Sequence, residues 1–322
     1  MKRLFSILFL AILLVIPTQA QNRRGKKTVP HKKKVALVLS GGGAKGVAHI
    51  GVIKVLEEAG IPIDIIVGTS MGSIVGGLYA VGYDASELDE LVRNQRWTAL
   101  LTDVGKVNDE EVASWGNIAS DIWNGLKTSI GHGGLVSGKN LQGLFEDLCK
   151  GYNGKRQNFN KLPTPFACVA TNVKRYEEYD FHEGSLPIAM RASMSIPGYF
   201  TPVSYKGMLL MDGGMRNNFP ADIAKEMGAD IIIGVSVQKD EEMVTDDWNS
   251  FSGILNSVVN KVTANKYDEN WESADLGIRV DVGEYTTTSF SQAAINDLLI
   301  YGEQAGRDHW TDIMKLKKYI GL

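Results

Sequence analysis

Apolar positions along this 322-residue chain take two forms, short unbroken runs and stretches at helical spacing, and the two alternate. KVALVLS at 34–40 is β-branched and uninterrupted, which predicts a strand buried on both faces. Ala48, Val52, Val55, Leu56 and Ala59 then recur at helical spacing and stop at Gly60, predicting an amphipathic helix with a glycine terminator. IDIIVG at 63–68 predicts a second strand, followed by a helix of small residues from Met71 to about Val81 and another from near Ser86. Residues 97–136 show no regular period, and order returns with SGKNLQGLFEDLC, a helix that Ser137 is placed to cap. Strands are expected at 165–172 and 208–211, with a hairpin near 175–182. A helix from around Pro220, the buried run ADIIIGVSV, a helix near 250–268, the strand LGIRVDV and a last helix from about Ser291 complete the series. Alternation of this kind builds a mainly parallel sheet covered by helices on both faces, so the reading is one α/β domain.

The first twenty residues stand outside that pattern. Lys2 and Arg3, a moderate apolar run, Pro17 and Ala20 have the layout of a signal peptide cleaved after Ala20. An uncleaved anchor is the weaker alternative, because the run falls short of the ~20 residues that span a bilayer. Export to a periplasm, to the medium or to a membrane surface is therefore expected. Residues 21–33 read as a basic linker, and the body is 34–322. Seven of the 34 basic residues lie in 22–34 and two in the leader, leaving 25 against 37 acids in residues 35–322. Such an arm is either a solvated linker or an attachment to an anionic membrane surface, at about 1 kcal/mol per basic residue near the lipid. An acidic body argues against nucleic acid as a partner. Cys149 and Cys168 are the two cysteines; they read as buried thiols, with a bridge as the alternative that export permits.

Candidate chemistry begins at the end of the first strand. Gly41, Gly43 and Gly46 satisfy G-x-G-x-x-G, yet Asp64 opens the second strand where a ribose-binding acid should close it. Lys45 is followed by Gly46 rather than Ser or Thr, so no phosphate-binding Walker loop is present either. A nucleotide is not expected. The second strand ends instead in Gly68-Thr69-Ser70-Met71-Gly72, a G-x-S-x-G between strand and helix, the setting in which a sharp turn exposes a nucleophilic serine. His31, His49, His132, His182 and His309 each read as a surface or packing residue. Only His309 follows every candidate acid, as the Ser–Asp–His order of an α/β-hydrolase demands, and Ser70 on the second strand falls earlier than that fold places its nucleophile, so a triad is not expected. Asp212 is the better partner. It closes an apolar run and precedes Gly213-Gly214, although alone it would pass for an ordinary Asp-Gly turn.

Taken together, G-G-G-A-K-G at 41–46, G-T-S-M-G at 68–72 and D-G-G at 212–214 resemble the patatin-like phospholipase family. Asn218, Pro220 and RASMSIPGYFTP at 191–202 extend the likeness over roughly 34–310. Ser40 stands where the family loop often has Asp, so local hydrogen bonding there is expected to differ. The resemblance implies a three-layer α/β/α sandwich and a Ser70–Asp212 dyad that works without histidine, metal or cofactor. It further implies an oxyanion hole from the N–H groups of Gly42 and Gly43, with Gly41 or Ala44 assisting, and a phospholipid or other acyl-ester lipid as substrate. Lys45 would orient the loop or be a solvated surface lysine. Arg191 would attract a phosphate head group or, preferably, form a structural ion pair. Trp97, Trp115 and Trp123 would form an interfacial lid or pack internally. A soluble esterase, thioesterase or acyltransferase with the same dyad, and a non-catalytic membrane-surface module, are the alternative functions.

Overall fold

A computed structural model describes residues 33–103, 134–238 and 266–322. The leader, the basic linker up to residue 32, Trp115, Trp123 and most of the helix expected near 250–268 lie outside the described residues.

Twelve strands are present among the described residues: β1 (Val35–Leu39), β2 (Ile65–Thr69), β3 (Gly134–Val136), β4 (Gln157–Asn158), β5 (Phe166–Asn172), β6 (Glu177–Phe181), β7 (Glu183–Gly184), β8 (Gly198–Phe200), β9 (Val203–Tyr205), β10 (Met208–Asp212), β11 (Ile231–Ser236) and β12 (Leu276–Arg279). The helices are α1 (Ala48–Glu58), α2 (Met71–Ala80), α3 (Ala85–Arg93), α4 (Trp97–Thr102), α5 (Lys139–Leu148), α6 (Leu186–Ser193), α7 (Ala221–Glu226), α8 (Tyr267–Glu272), α9 (Gln292–Asp308) and α10 (Trp310–Tyr319). The main sheet runs β12-β11-β1-β2-β5-β10-β9, with β6 also paired to β5. From β12 to β5 every pairing is parallel, whereas β6, β10 and β9 join antiparallel. The sheet is thus mixed, with its parallel part in the middle.

Period-two alternation in the central strands sorts the core into two halves. Val35, Leu37, Leu39, Ile66, Ile231 and Ile233 face one layer, packed with α1, α2, α9 and α10. Ala36, Val38, Ile65, Val67, Val169 and Ile232 face the other, under α7 and α8. The α/β/α sandwich is present, and both faces are dry because parallel strands are covered twice. Helices α1 and α9 cross at close range. A methyl on Gly51 would sit 2.3 Å from the Leu299 carbonyl oxygen, and one on Gly302 would strike Ala48.

Several local expectations are corrected. Residues 97–136 are not wholly irregular, since Trp97–Thr102 is helical and 134–136 pairs with β8. Ser137 does not cap α5: Gly138 occupies the N-cap with left-handed φ 69°, and the orphan N–H groups of Gly138 and Asn140 donate to Asp103 instead. The last helix breaks at His309 into α9 and α10. Helix α6 was not anticipated, because Pro187 and a run of small residues mask its period; proline is well tolerated in the first turn. Both cysteines are free and buried.

Candidate active site

The C-terminal ends of β1 and β2 meet the end of β10 at one edge of the sheet. Parallel β1 and β2 deliver the glycine loop and Ser70 there, and antiparallel β10 brings Asp212 alongside. Ser70 sits between β2 and α2 with φ 53° and ψ −121°, a conformation that a side-chain-bearing residue adopts only under constraint. Gly68 and Gly72 supply that constraint. A methyl at Gly68 would lie 2.4 Å from the Gly72 carbonyl oxygen, and one at Gly72 2.4 Å from that of Leu39. The backbone can therefore pack on itself and turn the serine hydroxyl outward.

Ser70 Oγ donates to Asp212 Oδ2 at 2.7 Å, although the two residues are 142 positions apart. Gly214 N–H donates to the other carboxylate oxygen at 2.8 Å. The Asp212 backbone is pinned twice more, its N–H donating to the Ser195 carbonyl and its carbonyl accepting from Thr171 Oγ1. Burial pushes the Asp212 carboxyl up to about 6, against the smaller opposing effects of the Ser70 and Gly214 hydrogen bonds. A carboxylate so raised is a stronger proton acceptor than an exposed aspartate, and it is still ionised at neutral pH.

The glycine loop supplies donors, and their bonding sorts the four expected ones. Gly41 N–H donates to the Asn218 carbonyl, and Ala44 N–H to that of Thr287, so neither is available to an oxyanion. Gly42 and Gly43 retain N–H groups without an acceptor among the described residues. The loop is held close to the serine, since a methyl on Gly41 would lie 3.2 Å from Ser70 Cβ. Gly43 has φ 56° and lies against Thr287, which explains the glycine there. Past Gly43 the chain makes a single 3₁₀ turn into α1, whose positive end lies behind the loop. Gly46 gives room to Met71. Lys45 is buried, 3 % exposed, which removes the solvated alternative. Ser40 Oγ accepts from Val237 N–H, tying the loop to the end of β11, and Gln238 Nε2 donates to the Gly41 carbonyl.

Arg191 is buried, with no carboxylate in hydrogen-bonding range among the described residues. Its guanidinium donates to Ser195 Oγ and to the carbonyls of Ser137 and Thr201, and it stacks on Phe200 at 4.7 Å. Burial pulls its pKa down to about 10, with the charge of Asp103 opposing. Among the described residues it has no ion-pair partner, and its buried guanidinium braces the segment that carries Ser193 and Ser195. Ser193 Oγ accepts from Ser70 N–H at 2.9 Å. Thr69 Oγ1 donates to the Asn217 carbonyl at 2.8 Å, linking the elbow directly to the loop after Asp212. These supporting residues (Thr69, Thr171, Ser193, Ser195, Gln238 and Thr287) escaped the sequence reading. Thr69 lies inside G-T-S-M-G and Ser193 and Ser195 inside R-A-S-M-S, but neither motif by itself assigns them these bonds. His49 is fully buried, its Nε2 bonded to the Ser40 carbonyl at 2.8 Å, and burial lowers its pKa to about 4. As a neutral packing residue it holds the start of the glycine loop.

An apolar pocket opens on Ser70, lined by Met71, Ile74, Trp97, Leu101, Tyr199 and Phe290 among others. Trp97 packs at a tilt against Phe290, ring centroids 5.0 Å apart, and donates its indole N–H to the Val92 carbonyl. A nucleophile beside unpaired N–H donors, at the mouth of a greasy pocket, suits attack on the carbonyl of an apolar acyl group.

The chain is similar to several known proteins. The family model described as patatin-like phospholipase matches residues 37–225. A patatin-like phospholipase domain-containing protein of Caenorhabditis elegans is 35% identical over 224 residues, 68% of this chain and 15% of its own length. Human patatin-like phospholipase domain-containing protein 6 is 36% identical over 222 residues, 68% of this chain and 14% of its own. Lysophospholipase nte1 of Emericella nidulans is 32% identical over 238 residues, 70% of this chain and 14% of its own. This chain thus matches only about one seventh of those far longer proteins. Among solved structures, VipD from Legionella pneumophila superposes with a TM-score of 0.52 at 18% identity, covering 89% of this chain and 67% of that one. With the family model spanning more than half of its length, the chain belongs to the patatin-like phospholipase family, a family of lipid acyl-ester hydrolases.

Proposed function

We propose that this protein is a serine acyl hydrolase that cleaves fatty-acyl esters of phospholipids or lysophospholipids. The observation that carries the reading is the 2.7 Å hydrogen bond from Ser70 Oγ to buried Asp212 at the mouth of an apolar pocket. In the first half-reaction Asp212 accepts the Ser70 proton as Oγ attacks the ester carbonyl. The tetrahedral oxyanion is received by the N–H groups of Gly42 and Gly43, each donor worth about 2.7–4 kcal/mol in such a site. Collapse expels the alcohol, which takes the proton from Asp212, and leaves an acyl-Ser70 ester. In the second half-reaction water gives its proton to Asp212 and attacks the acyl-enzyme, and the fatty acid departs as Ser70 is reprotonated. Asp212 serves as base and then acid twice, and burial suits it to both roles by bringing its pKa towards neutrality. The leader and the basic linker support export and peripheral contact with an anionic membrane.

The test is labelling with a fluorophosphonate, which captures an activated serine, combined with fatty-acid release from phospholipid vesicles. Wild type is expected to label and to release fatty acid, whereas Ser70→Ala does neither and Asp212→Asn labels far more slowly. Labelling that survives Ser70→Ala would refute the nucleophile assignment. Labelling of wild type without release from vesicles or lysophospholipid micelles would move the substrate from lipids to soluble esters.

A further inference from the structure

Among the described residues a few buried side-chain atoms have no hydrogen-bond partner, and two of them border the glycine loop, Asn218 Nδ2 and Thr287 Oγ1. A hydroxyl swings its single hydrogen to suit whatever acceptor is near, whereas both N–H bonds of a carboxamide are fixed in its plane. Asn218 is therefore the one that asks for an explanation. It is 2 % exposed, and a donor buried that deeply without a partner carries its desolvation cost in full. Such a cost, retained in a native fold, is one mark of a catalytic group.

The loop that carries Asn218 away from Asp212 is tied down on both sides. Arg216 and Asn217 both donate their N–H groups to the Gly213 carbonyl, and the Asn217 carbonyl accepts from Thr69 Oγ1 at 2.8 Å. The carbonyl of Asn218 itself accepts the Gly41 N–H at 3.1 Å, which takes one donor out of the oxyanion set. Its side chain lies over the same glycine. The point where a Gly41 methyl would stand is 2.3 Å from Asn218 Oδ1 and 3.2 Å from Ser70 Cβ, so the tip of the amide and the nucleophilic residue flank one small space. The two ends of a carboxamide have nearly the same shape, and hydrogen bonding decides which faces where. With Oδ1 towards the serine, a lone pair would oppose an oxyanion, and Nδ2 would stay unpaired behind it. Turned over, the amide offers the serine an N–H. The end then left without a partner is a carbonyl oxygen, which proteins tolerate more readily than an unpaired N–H.

We propose that Asn218 is a third oxyanion donor, acting from its side chain beside the N–H groups of Gly42 and Gly43. As Ser70 Oγ bonds to the ester carbon, its proton passes to Asp212 and the carbonyl π pair moves onto oxygen. Asn218 Nδ2–H donates to that oxygen as it takes up the negative charge. The residue thus returns from its side chain the donor that its main chain removes at Gly41. The proposal rests on the reading of Ser70 as the nucleophile and adds to that site a catalytic group that substitution can delete, as it cannot delete a backbone N–H. A donor of this kind strengthens only once the oxygen is charged, so its loss falls on kcat rather than on KM.

Two variants of the full chain test it with p-nitrophenyl octanoate. Asn218→Asp keeps the shape and loses the donor, and Asn218→Leu keeps the branching and loses all polarity. Each is expected to lower kcat by roughly 10²–10³-fold with KM within about threefold of wild type. Inhibition by dodecyl trifluoromethyl ketone, which the serine converts to a hemiketal oxyanion, should weaken by a similar factor. Competition by dodecanol, which has no carbonyl, should stay as in wild type. An asparagine with a structural role alone would lower the melting temperature and weaken both inhibitors together. That result overturns the proposal, and so does a folded variant whose kcat stays within about threefold of wild type. Should neither variant fold, wild type carrying isotope-labelled asparagine decides. A side-chain N–H resonance must move downfield when the ketone binds, and a spectrum in which none moves overturns the proposal. A wild type that turns over no ester and ignores the ketone would instead remove the serine-hydrolase reading beneath it.

Discussion

Ser70 and Asp212 share a hydrogen bond but are held in place by different physics. The serine stands on strained backbone, φ 53°, kept there because glycines on either side let main chain touch main chain where any side chain would collide. The aspartate has unstrained backbone, φ −49° and ψ 131°, and is aimed by hydrogen bonds from Thr171 and Gly214 and to Ser195. Exclusion of volume is all-or-none, whereas a set of hydrogen bonds can be weakened one member at a time. The nucleophile should therefore tolerate almost no change in its surroundings, and the base should respond in graded fashion.

The largest effect is expected at Gly72. A methyl there meets the Leu39 and Ser40 carbonyl oxygens at 2.4 and 2.6 Å, so Gly72→Ala should lose more than about 4 kcal/mol and recover little soluble protein. A Gly72→Ala chain that melts like wild type would break the comparison outright. Gly43→Ala comes next, because its methyl collides with Thr287 and displaces one of the two free oxyanion donors. We expect kcat to fall by roughly 10²–10³-fold with KM little altered, read from steady-state ester hydrolysis.

At Asp212 activity and stability should move in opposite directions. Its folded pKa of about 6 lies above the ordinary 3.8, so its favourable contribution to folding is complete below pH 3.8 and is lost as pH rises through 6. At neutral pH the native protein thus carries the cost of a buried carboxylate. Asp212→Asn should be inactive yet more stable at neutral pH, by up to ~3 kcal/mol, with the advantage fading as pH falls from 6 towards 3.8. Thermal melts across that range check the sign, and wild-type kcat/KM should decline below about pH 6 as the base protonates. The smallest effect belongs to Thr171→Val, which removes one hydrogen bond to the Asp212 carbonyl at constant shape. About 1 kcal/mol of stability and a few-fold loss of kcat are expected; an inactive but folded variant would mean the base is held as rigidly as the nucleophile.

The motif residues were legible because each imposes a backbone requirement on its own neighbourhood. Gly68, Gly72 and Gly213 are glycines since main chain passes within 2.2–2.4 Å of their missing methyls, and Ser70 follows from the turn they allow. The parallel core was legible for a similar local reason, its unbroken β-branched runs. What local pattern cannot carry is the bonding of an N–H group to a distant chain segment. Gly41 and Ala44 look like their neighbours in sequence, yet Asn218 and Thr287 claim their N–H groups and leave Gly42 and Gly43 free. Likewise Asp103 reaches across to the start of α5 and does the work that Ser137 seemed placed to do. Arg191 was misread for the same reason. Its partners are main-chain carbonyls, and any residue type can supply a carbonyl.

Gln238 braces the carbonyl of Gly41 from 197 positions away, and Thr287 accepts the Ala44 N–H from farther still. During synthesis the serine and its glycine loop therefore emerge long before the residues that set their geometry. Contacts so distant in sequence form slowly, because the chain between them must first be ordered. A nascent or half-refolded molecule would expose the nucleophile with neither its base nor a settled loop beside it. In refolding, fluorophosphonate labelling should accordingly lag behind the recovery of helix and sheet seen by circular dichroism; simultaneous recovery would show that the loop forms unaided. On the proposed function, a hydrolase built this way would stay silent until it is nearly whole, which would spare the lipids around it while it folds.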